Sequence, residues 1–439
     1  MAGLQPRRAA TKLVEAVLGQ GKTLDITLGE HAAVAPFSRM EERDRALARA
    51  IAATALRRKG QIDAIFDSFL ERPLKGKTVA FYAIARAALA EILFMNAPDH
   101  AVVNLAVQQA RADKRTRHLA GLLNAVLRKA SVNGPGLAAA QDSALINTPD
   151  WLWQNWVRAH GEEKARALAE ANLQEAALDI TVKSDPESWA RRLGGEQVGP
   201  VTVRLAQRGR IETLDGFEDG QWWVQDAAAA LPARLLGNVA GMRVADLCAA
   251  PGGKTAQLAW AGARVTALDI SASRLARLRD NLERLALNAE IVATDVNEFE
   301  TENRFDAVLL DAPCSATGTI RRHPDIPHLK RPSDIEKLSE VQARLLNKAV
   351  SLTKPGGRLV YCTCSLEPEE GEEQIARITS SGAPVTVERI AGQEAARCSH
   401  TATEQGFIRT WPFASPQGSG DAPADGFFIA RLSVDARQC

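Results

Sequence analysis

The stretch Asp246-Leu-Cys-Ala-Ala-Pro-Gly-Gly-Lys-Thr255 decides the reading of the fold. An apolar run, Met242–Leu247, gives way to a turn of small residues and then to a helical pattern over Lys254–Trp260. Strand, tight turn and helix in that order let backbone N–H groups approach an anionic or carboxylate group closely. The turn is not a P-loop, which would need glycine where Cys248 stands, and it lacks the G-x-G-x-x-G dinucleotide fingerprint. Further apolar runs follow at Arg264–Leu268, Glu290–Ala293, Asp306–Leu310 and Arg358–Tyr361. They alternate with helical patterns at Ala272–Leu287, Pro332–Leu352 and Glu367–Ile378, and Asp226–Leu236 precedes them. This alternation predicts an α/β domain over 225–439, a mostly parallel, Rossmann-like sheet covered on both faces. Two last strand candidates, Gly406–Trp411 and Gly426–Leu432, predict an antiparallel hairpin on the sheet edge.

In such a sheet, ligands collect beyond the carboxyl ends of the strands. The first four strands end in or near Asp246, Asp269, Asp295 and Asp311. A carboxylate at the second strand tip commonly binds the hydroxyls of a ribose. Helix N-capping could account for any one of the four, but less readily for all of them. An acidic rim suits a positively charged nucleoside better than an anionic nucleotide, and S-adenosyl-L-methionine is such a ligand.

The other strand ends carry thiols: Cys314 in Asp311-Ala-Pro-Cys-Ser-Ala-Thr-Gly318, and Cys362 and Cys364 in Val360-Tyr-Cys-Thr-Cys-Ser365. Cys362 and Cys248 read as small buried hydrophobes. A zinc site would have to recruit His323 or His328, so no metal is expected. Two thiols beside a methyl-donor pocket point to nucleophilic catalysis. Carbon 5 of cytosine is a poor nucleophile until a thiolate adds to carbon 6. An ordinary thiol, with pKa about 8.5, is only a few per cent ionised at neutral pH. A nearby cation such as Lys254 would help, and Asp311 could hydrogen-bond the polar edge of the base.

The 439 residues exceed the ~100–200 typical of one domain. No apolar run approaches the ~20 residues that span a bilayer. The N-terminal Met-Ala-Gly-Leu-Gln-Pro-Arg-Arg does not read as a secretory signal. All six cysteines, Cys398 and Cys439 among them, fall in the second half of the chain. That fits a reducing, cytoplasmic setting better than a disulfide framework. The net charge of +1 hides an asymmetry: residues 1–145 carry 21 Lys and Arg against 13 Asp and Glu, so the remainder is net negative. A basic leading segment suggests a polyanionic partner, although a solvated basic face would look the same. Helical spacing recurs at Arg45–Arg57, Val79–Leu93, Ala101–Ala112 and His118–Lys129. Breaks are expected at Gly60, Pro73, Pro98 and Gly134-Pro135, with a linker over Ser131–Asn147. A small mixed α/β module is expected over 145–224. It has helical period in 149–175, where Trp151, Trp153 and Trp156 read as core anchors. Period-2 stretches follow at Leu178–Lys183, Val201–Ala206 and Arg210–Leu214. The basic runs Arg111–Arg117 and Arg321-Arg322 are candidate RNA contacts.

From about residue 145 onward the sequence resembles the NOL/NOP/Sun family of RNA cytosine-C5 methyltransferases. The resemblance rests on Asp246–Thr255, Ala267–Ile270, Asp311–Gly318, Thr363–Ser365 and Asp425–Phe428. DNA cytosine methyltransferases place their nucleophile in the Pro-Cys motif. Here the resemblance implies Cys364 as attacking thiol and Cys314 as the helper in product release. It further implies cofactor binding by Cys248, Ala249, Ala250, Pro251, Gly252, Gly253, Lys254, Asp269, Asp295 and Asp311. Residues 1–140 resemble a NusB-type all-helical RNA-binding domain, most closely in Ala101–Ala112 and Gly121–Lys129. That pairing, with the linker Ile320–Asp325, is the architecture of a bacterial group acting on 16S ribosomal RNA. The implied partner is that RNA or a small-subunit assembly particle, and the protein is expected to be a monomer. A transfer RNA methyltransferase, or a non-catalytic antitermination-type RNA-binding factor, are the alternatives. Ala316 departs from the family pattern, in which many members have glycine.

Overall fold

Side chains on a strand point alternately to opposite faces, so a strand buried on both sides needs an apolar residue at nearly every position. The runs after residue 240 meet that demand. In the computed structural model, which describes residues 3–28, 40–72, 74, 78–206, 210–395, 397–414 and 421–436, they pair into one large sheet. Pro73 and Cys439 lie outside the described residues. The chain divides into two compact units, 1–174 with 320–331, and 175–319 with 332–439.

The strands of the second unit are β1 (Leu178–Val182), β2 (Gly195–Gln197), β3 (Thr202–Leu205) and β4 (Trp222–Val224), then β5 (Arg243–Leu247), β6 (Arg264–Asp269) and β7 (Glu290–Ala293). They continue with β8 (Phe305–Asp311), β9 (Thr353–Thr363), β10 (Val385–Glu388), β11 (His400–Ala402), β12 (Ile408–Thr410) and β13 (Phe428–Val434). The first four form an antiparallel sheet in the order β2-β3-β1-β4. The rest form a sheet in the order β11-β12-β13-β9-β8-β5-β6-β7, with β10 also paired to β13. From β9 to β7 all pairs are parallel, whereas β13 runs antiparallel to β9 and pairs antiparallel with β12. The expected edge hairpin is therefore present. Strand order reverses between β5 and β8, the place where open α/β sheets bind ligands.

Alternation along the central strands builds two cores. Ala245, Val308, Leu310, Leu359 and Tyr361 face the helix Pro332–Leu352, which contributes Leu345, Leu346 and Ala349. Val244, Ala307, Leu309, Val360 and Cys362 face the opposite side, with Leu258 and Leu231. The expected strand at Arg210–Leu214 is instead a single 3₁₀ turn, Ile211–Thr213, so its alternation does not report pairing.

The first unit is helical around one apolar cluster, in which Val79–Phe94 is buried on nearly every side. The break expected at Gly60 falls two residues earlier, at Arg58, where the helix Glu42–Arg57 ends and the next begins, whereas the one expected at Gly134-Pro135 does not occur. Gly60 lies inside the helix Lys59–Ser68, where a Cβ would come 1.7 Å from the Ile146 carbonyl oxygen. Gly134 and Pro135 lie inside Ala120–Ala140, where a Cβ on Gly134 would sit 2.6 Å from Leu93 Cδ2. These glycines serve close packing, which outweighs their ~1 kcal/mol helix penalty. Of the three tryptophans Trp156 is fully buried, and Trp151 and Trp153 are half-buried. Helices Asp150–His160 and Glu162–Asn172 cluster with this unit.

Residues 320–331 belong to the same unit. Asp325 accepts from Leu24 N at 2.9 Å, and Arg57 donates to the Arg321 carbonyl at 2.7 Å. Burial lowers the His328 pKa to about 4, and the neutral ring lies 2.9 Å from the Leu56 carbonyl.

Candidate active site

Beyond β5 the backbone does most of the shaping. Cys248 takes a left-handed conformation (φ 62°), costing about 1–2 kcal/mol for a side chain with a Cβ. The chain continues through buried Ala249 and Ala250 and through Pro251 to Gly252, at φ 103°. A Cβ on Gly252 would meet Leu278 Cγ at 2.8 Å, so this position requires glycine. The helix Gly253–Trp260 starts there. Asp269, nearly inaccessible at the tip of β6, accepts from Ala250 N at 3.2 Å and from Ser271 N at 2.9 Å. It ties the turn to the start of the next helix. Asp295, half-buried after β7, accepts from Asn297 N and Nδ2, both at 2.9 Å.

Asp246 is no part of a rim. It is fully buried, its Oδ2 accepts from the Thr255 hydroxyl at 2.6 Å, and its Oδ1 has no partner. Burial raises its pKa to about 7. With Asp269 nearly inaccessible as well, only Asp295 and Asp311 of the four expected rim carboxylates are partly exposed.

At the tips of β8 and β9 the two thiols come together. Cys314 Sγ and Cys364 Sγ are 3.4 Å apart, both half-buried. The sulfur–sulfur hydrogen bond, then burial, pushes the Cys314 thiol well above the usual range. Cys362 is fully buried, as expected, whereas Cys248 is half-buried with its thiol pushed up to about 12 by desolvation. Lys254 Nζ lies 2.8 Å from Asp311 Oδ2 and 5.3 Å from the centre of the Phe427 ring. Burial works against its charge, but Asp311 more than offsets this and raises its pKa. The ammonium is thus committed to Asp311, and Asp311 Oδ1 is 3.4 Å from Cys362 Sγ.

Side chains that the sequence reading did not single out hold the thiols in place. Glu370 is fully buried and accepts from Ser315 N at 2.9 Å, from the Ser315 hydroxyl and from Gln342 Nε2 at 3.1 Å. Gln342 Nε2 also donates to the Pro313 carbonyl at 2.9 Å, so both neighbours of Cys314 are clamped. Arg409, buried against Glu372, donates to the Ser365 carbonyl at 2.7 Å next to Cys364. Gly318 N donates to the Cys364 carbonyl at 3.0 Å, and Gly426 N donates to the Gly318 carbonyl at 2.8 Å. A Cβ on Gly318 would lie 1.9 Å from Gly426 O. The Asp425–Phe428 stretch therefore braces the thiol loops. Only the Glu at the start of an amphipathic pattern hinted at Glu370, and such a residue ordinarily faces solvent.

Among the described residues no group of three or more His, Cys, Asp and Glu is placed to hold a metal ion. Among them also no helix is long and apolar enough to cross a membrane. Arg115 of the basic run is paired to Glu15 at 2.6 Å and Asp113 at 2.8 Å, and Arg321 is buried.

The sheet order, the small-residue turn and the strand-tip carboxylates together define a Rossmann-type methyltransferase. Residues 233–433 match the family model described as 16S rRNA methyltransferase RsmB/F, and residues 4–131 match the NusB family. Ribosomal RNA small subunit methyltransferase B of Vibrio cholerae is 36% identical over 84% of this chain and 88% of its own. The protein of that name from Shigella flexneri is 34% identical over 97% and 98%. A methyltransferase homolog protein from Pyrococcus horikoshii, 27% identical, superposes with a TM-score of 0.55 over 68% of this chain and 97% of its own. The chain belongs to the ribosomal RNA small subunit methyltransferase B family. It is an RNA methyltransferase.

Proposed function

We propose that this protein methylates carbon 5 of a cytidine in 16S ribosomal RNA, with S-adenosyl-L-methionine as donor and Cys364 as a transient covalent nucleophile. The observation that carries this reading is the 3.4 Å pair of Cys314 and Cys364 at adjacent strand tips of a methyltransferase sheet. The donor is read from fit. A turn that tolerates no Cβ at Gly252, three strand-tip carboxylates and a buried carboxylate oxygen without a partner suit a cationic nucleoside. The backbone of Cys248, Ala249, Ala250, Pro251, Gly252 and Gly253 would hold it, with Lys254, Asp269, Asp295 and Asp311. When bound, it supplies an electrophilic methyl group.

The chain's own residues prepare the base. Cys364 Sγ, as thiolate, bonds to carbon 6, and the displaced electron pair makes carbon 5 enamine-like and able to accept the methyl group. Asp311, held by Lys254, hydrogen-bonds the polar edge of the ring during addition. Afterwards the carbon-5 proton leaves with the help of Cys314, and the carbon–sulfur bond breaks to return its electron pair to Cys364. The geometry gives a reason for that order. The largest influence raising the Cys314 pKa is Cys364. Once Cys364 is a thioether it cannot carry charge, so Cys314 ionises more readily at the step that needs a base. The target base has to leave its stack, at a cost of a few kcal/mol unless it already sits in a loop. The basic helical unit would supply phosphate contacts, whose strength falls steeply with salt. The relatives' names support ribosomal RNA, alone or in a small-subunit assembly particle, as the substrate.

Tritium transfer from labelled donor to RNA tests the scheme. Cys364→Ala should abolish transfer while donor binding persists, and Cys314→Ala should accumulate a protein–RNA adduct that survives a denaturing gel. Continued methylation by Cys364→Ala, or free turnover by Cys314→Ala with no adduct, would sink the two-thiol reading.

A further inference from the structure

Away from the strand tips, the second unit contains a cavity of about 280 Å³ that the methyl-transfer scheme does not use. Its walls are mostly apolar, including Val239 and Leu258, and two indoles, Trp223 and Trp260, line it. Both rings are fixed in orientation. Trp223 Nε1 donates to Gln225 Oε1 and Trp260 Nε1 to the Lys183 carbonyl, each at 2.8 Å. Trp260 is about half exposed, and the Lys183 ammonium lies 5.2 Å from the centre of its ring.

Two polar groups in this lining lack the partners that their burial calls for. Thr181, on β1 and cross-strand from Trp223, is 1% exposed, and its hydroxyl makes no hydrogen bond. Leaving such a group unpaired costs about 1–3 kcal/mol. Arg234 is half-buried, and among the described residues its guanidinium has neither hydrogen bond nor ion pair. Desolvation lowers its pKa, with Glu394 and Cys398 as the nearby opposing influences. A guanidinium partly withdrawn from water is stabilised by an anion that can accept from its fork of donors. Fixed aromatic faces, a spare hydroxyl and an unpaired cation in one mostly apolar cavity are the makings of a small-molecule site.

We infer that this cavity is a second ligand site, taking a nucleotide: a base against the indoles, its phosphate on Arg234, and a polar group on the Thr181 hydroxyl. The choice of a nucleotide over other aromatic anions rests on the reading of the chain as an enzyme acting on RNA. The occupant is not the reacting cytidine. None of the residues at the tips of β8 and β9, where the thiols lie, lines the cavity, and the helix Gly253–Trp260, which begins at the donor turn, meets it through Gln257, Leu258 and Trp260, about 6–10 Å further along by helical rise. Free mononucleotide and a nucleotide within the RNA chain share this chemistry.

Calorimetric titration of the full-length protein with 5′-UMP, uridine and inorganic phosphate tests the site. UMP should bind, with uridine and phosphate each at least about tenfold weaker, since each makes only part of the contacts. Arg234→Ala should weaken UMP at least about tenfold. Thr181→Val, which preserves shape, should weaken it severalfold and guards against an Arg234 variant that does not fold. Absence of UMP binding overturns the inference, as does binding unchanged in both variants. Tighter binding of indole-3-acetate than of UMP also overturns it, because the site would then belong to aromatic carboxylates. A short single-stranded oligoribonucleotide that displaces UMP in an Arg234-dependent way assigns the site to the RNA chain. Failure to displace UMP assigns it to free nucleotide. The methyl-transfer assay is run separately. Transfer without Arg234-dependent UMP binding removes this site alone, and UMP binding without transfer removes only the methyltransferase reading.

Discussion

The two halves of the sheet's carboxyl edge are built differently. Beyond β5 and β6 the working surface is backbone: a left-handed Cys248, a glycine that tolerates no Cβ, and Asp269 holding two main-chain N–H groups. Beyond β8 and β9 it is side chain. Two thiols are aimed at each other by a buried carboxylate, a buried amide and a buried guanidinium that come from after β9, the helix Pro332–Leu352 and β12. A surface of main-chain amides suits a donor of fixed shape. A pair of reacting atoms needs closer placement, and the buried polar network supplies it. Damage to one half should therefore leave the other standing.

Glu370→Ala is the most severe way to break that independence. It strands the Ser315 N–H, the Ser315 hydroxyl and a Gln342 amide hydrogen in the interior, each at about 1–3 kcal/mol. We expect methyl transfer to fall by orders of magnitude and the melting temperature to drop, while donor binding to the folded protein stays within a few-fold. Glu370→Gln retains an acceptor and should restore part of the rate, which a purely structural loss would not predict. Donor affinity collapsing together with transfer would show that the halves are coupled.

Asp246→Asn probes the other half through pH. The folded-state pKa of about 7 stands above the ordinary 3.8, so the bound proton favours the folded state at low pH. That contribution is complete below pH 3.8 and is lost as pH rises through 7. Thermal melts across this window should show stability declining with pH more steeply in the parent than in the variant, which cannot ionise. Parallel curves would mean that Asp246 does not titrate where its burial places it. Gly252→Ala should act more locally. A Cβ at φ 103° and 2.8 Å from Leu278 costs about 1–3 kcal/mol and should weaken donor binding, measured by calorimetry, at least tenfold. The rate at which an alkylating reagent modifies Cys364 should be unchanged.

The same division explains what could be read from sequence. A strand buried on both faces is a run of apolar residues, so Arg243–Leu247 and Phe305–Asp311 were legible to within a residue at either end, and the helical spacing of Pro332–Leu352 gave that helix. Glycines and aspartates placed just after such runs marked the donor turn, because backbone shape is written locally. The clamp was not legible. Glu370 and Gln342 are 28 residues apart, and their partners Pro313 and Ser315 lie further off still, so no spacing announces them. Gly134 misled for a related reason: it marks the close approach of Leu93, distant in sequence, not a break. The separation of 149–174 from the strands that follow was hidden as well, since helical period does not say which core a helix joins.

The mildest test lies where the two modes of construction meet. Ala316 sits in the thiol loop at φ 61°, a left-handed conformation that glycine adopts freely and alanine holds at a cost of about 1–2 kcal/mol. Ala316→Gly removes that strain but gives the unfolded chain more freedom, a loss of about 0.4–1 kcal/mol. The net gain should be no more than about 1 kcal/mol, or a rise of about 2–4 °C in melting temperature for a unit of this size. The rate should not move. Ser315 on one side is held by Glu370, and on the other the Ala316 carbonyl accepts from Thr319 N and Oγ1, each at 2.9 Å. Cys314 is thus placed by side chains whichever residue occupies 316. A variant that is more stable yet several-fold slower would mean that the methyl group itself stiffens the loop, and that the thiol half also depends on backbone restriction.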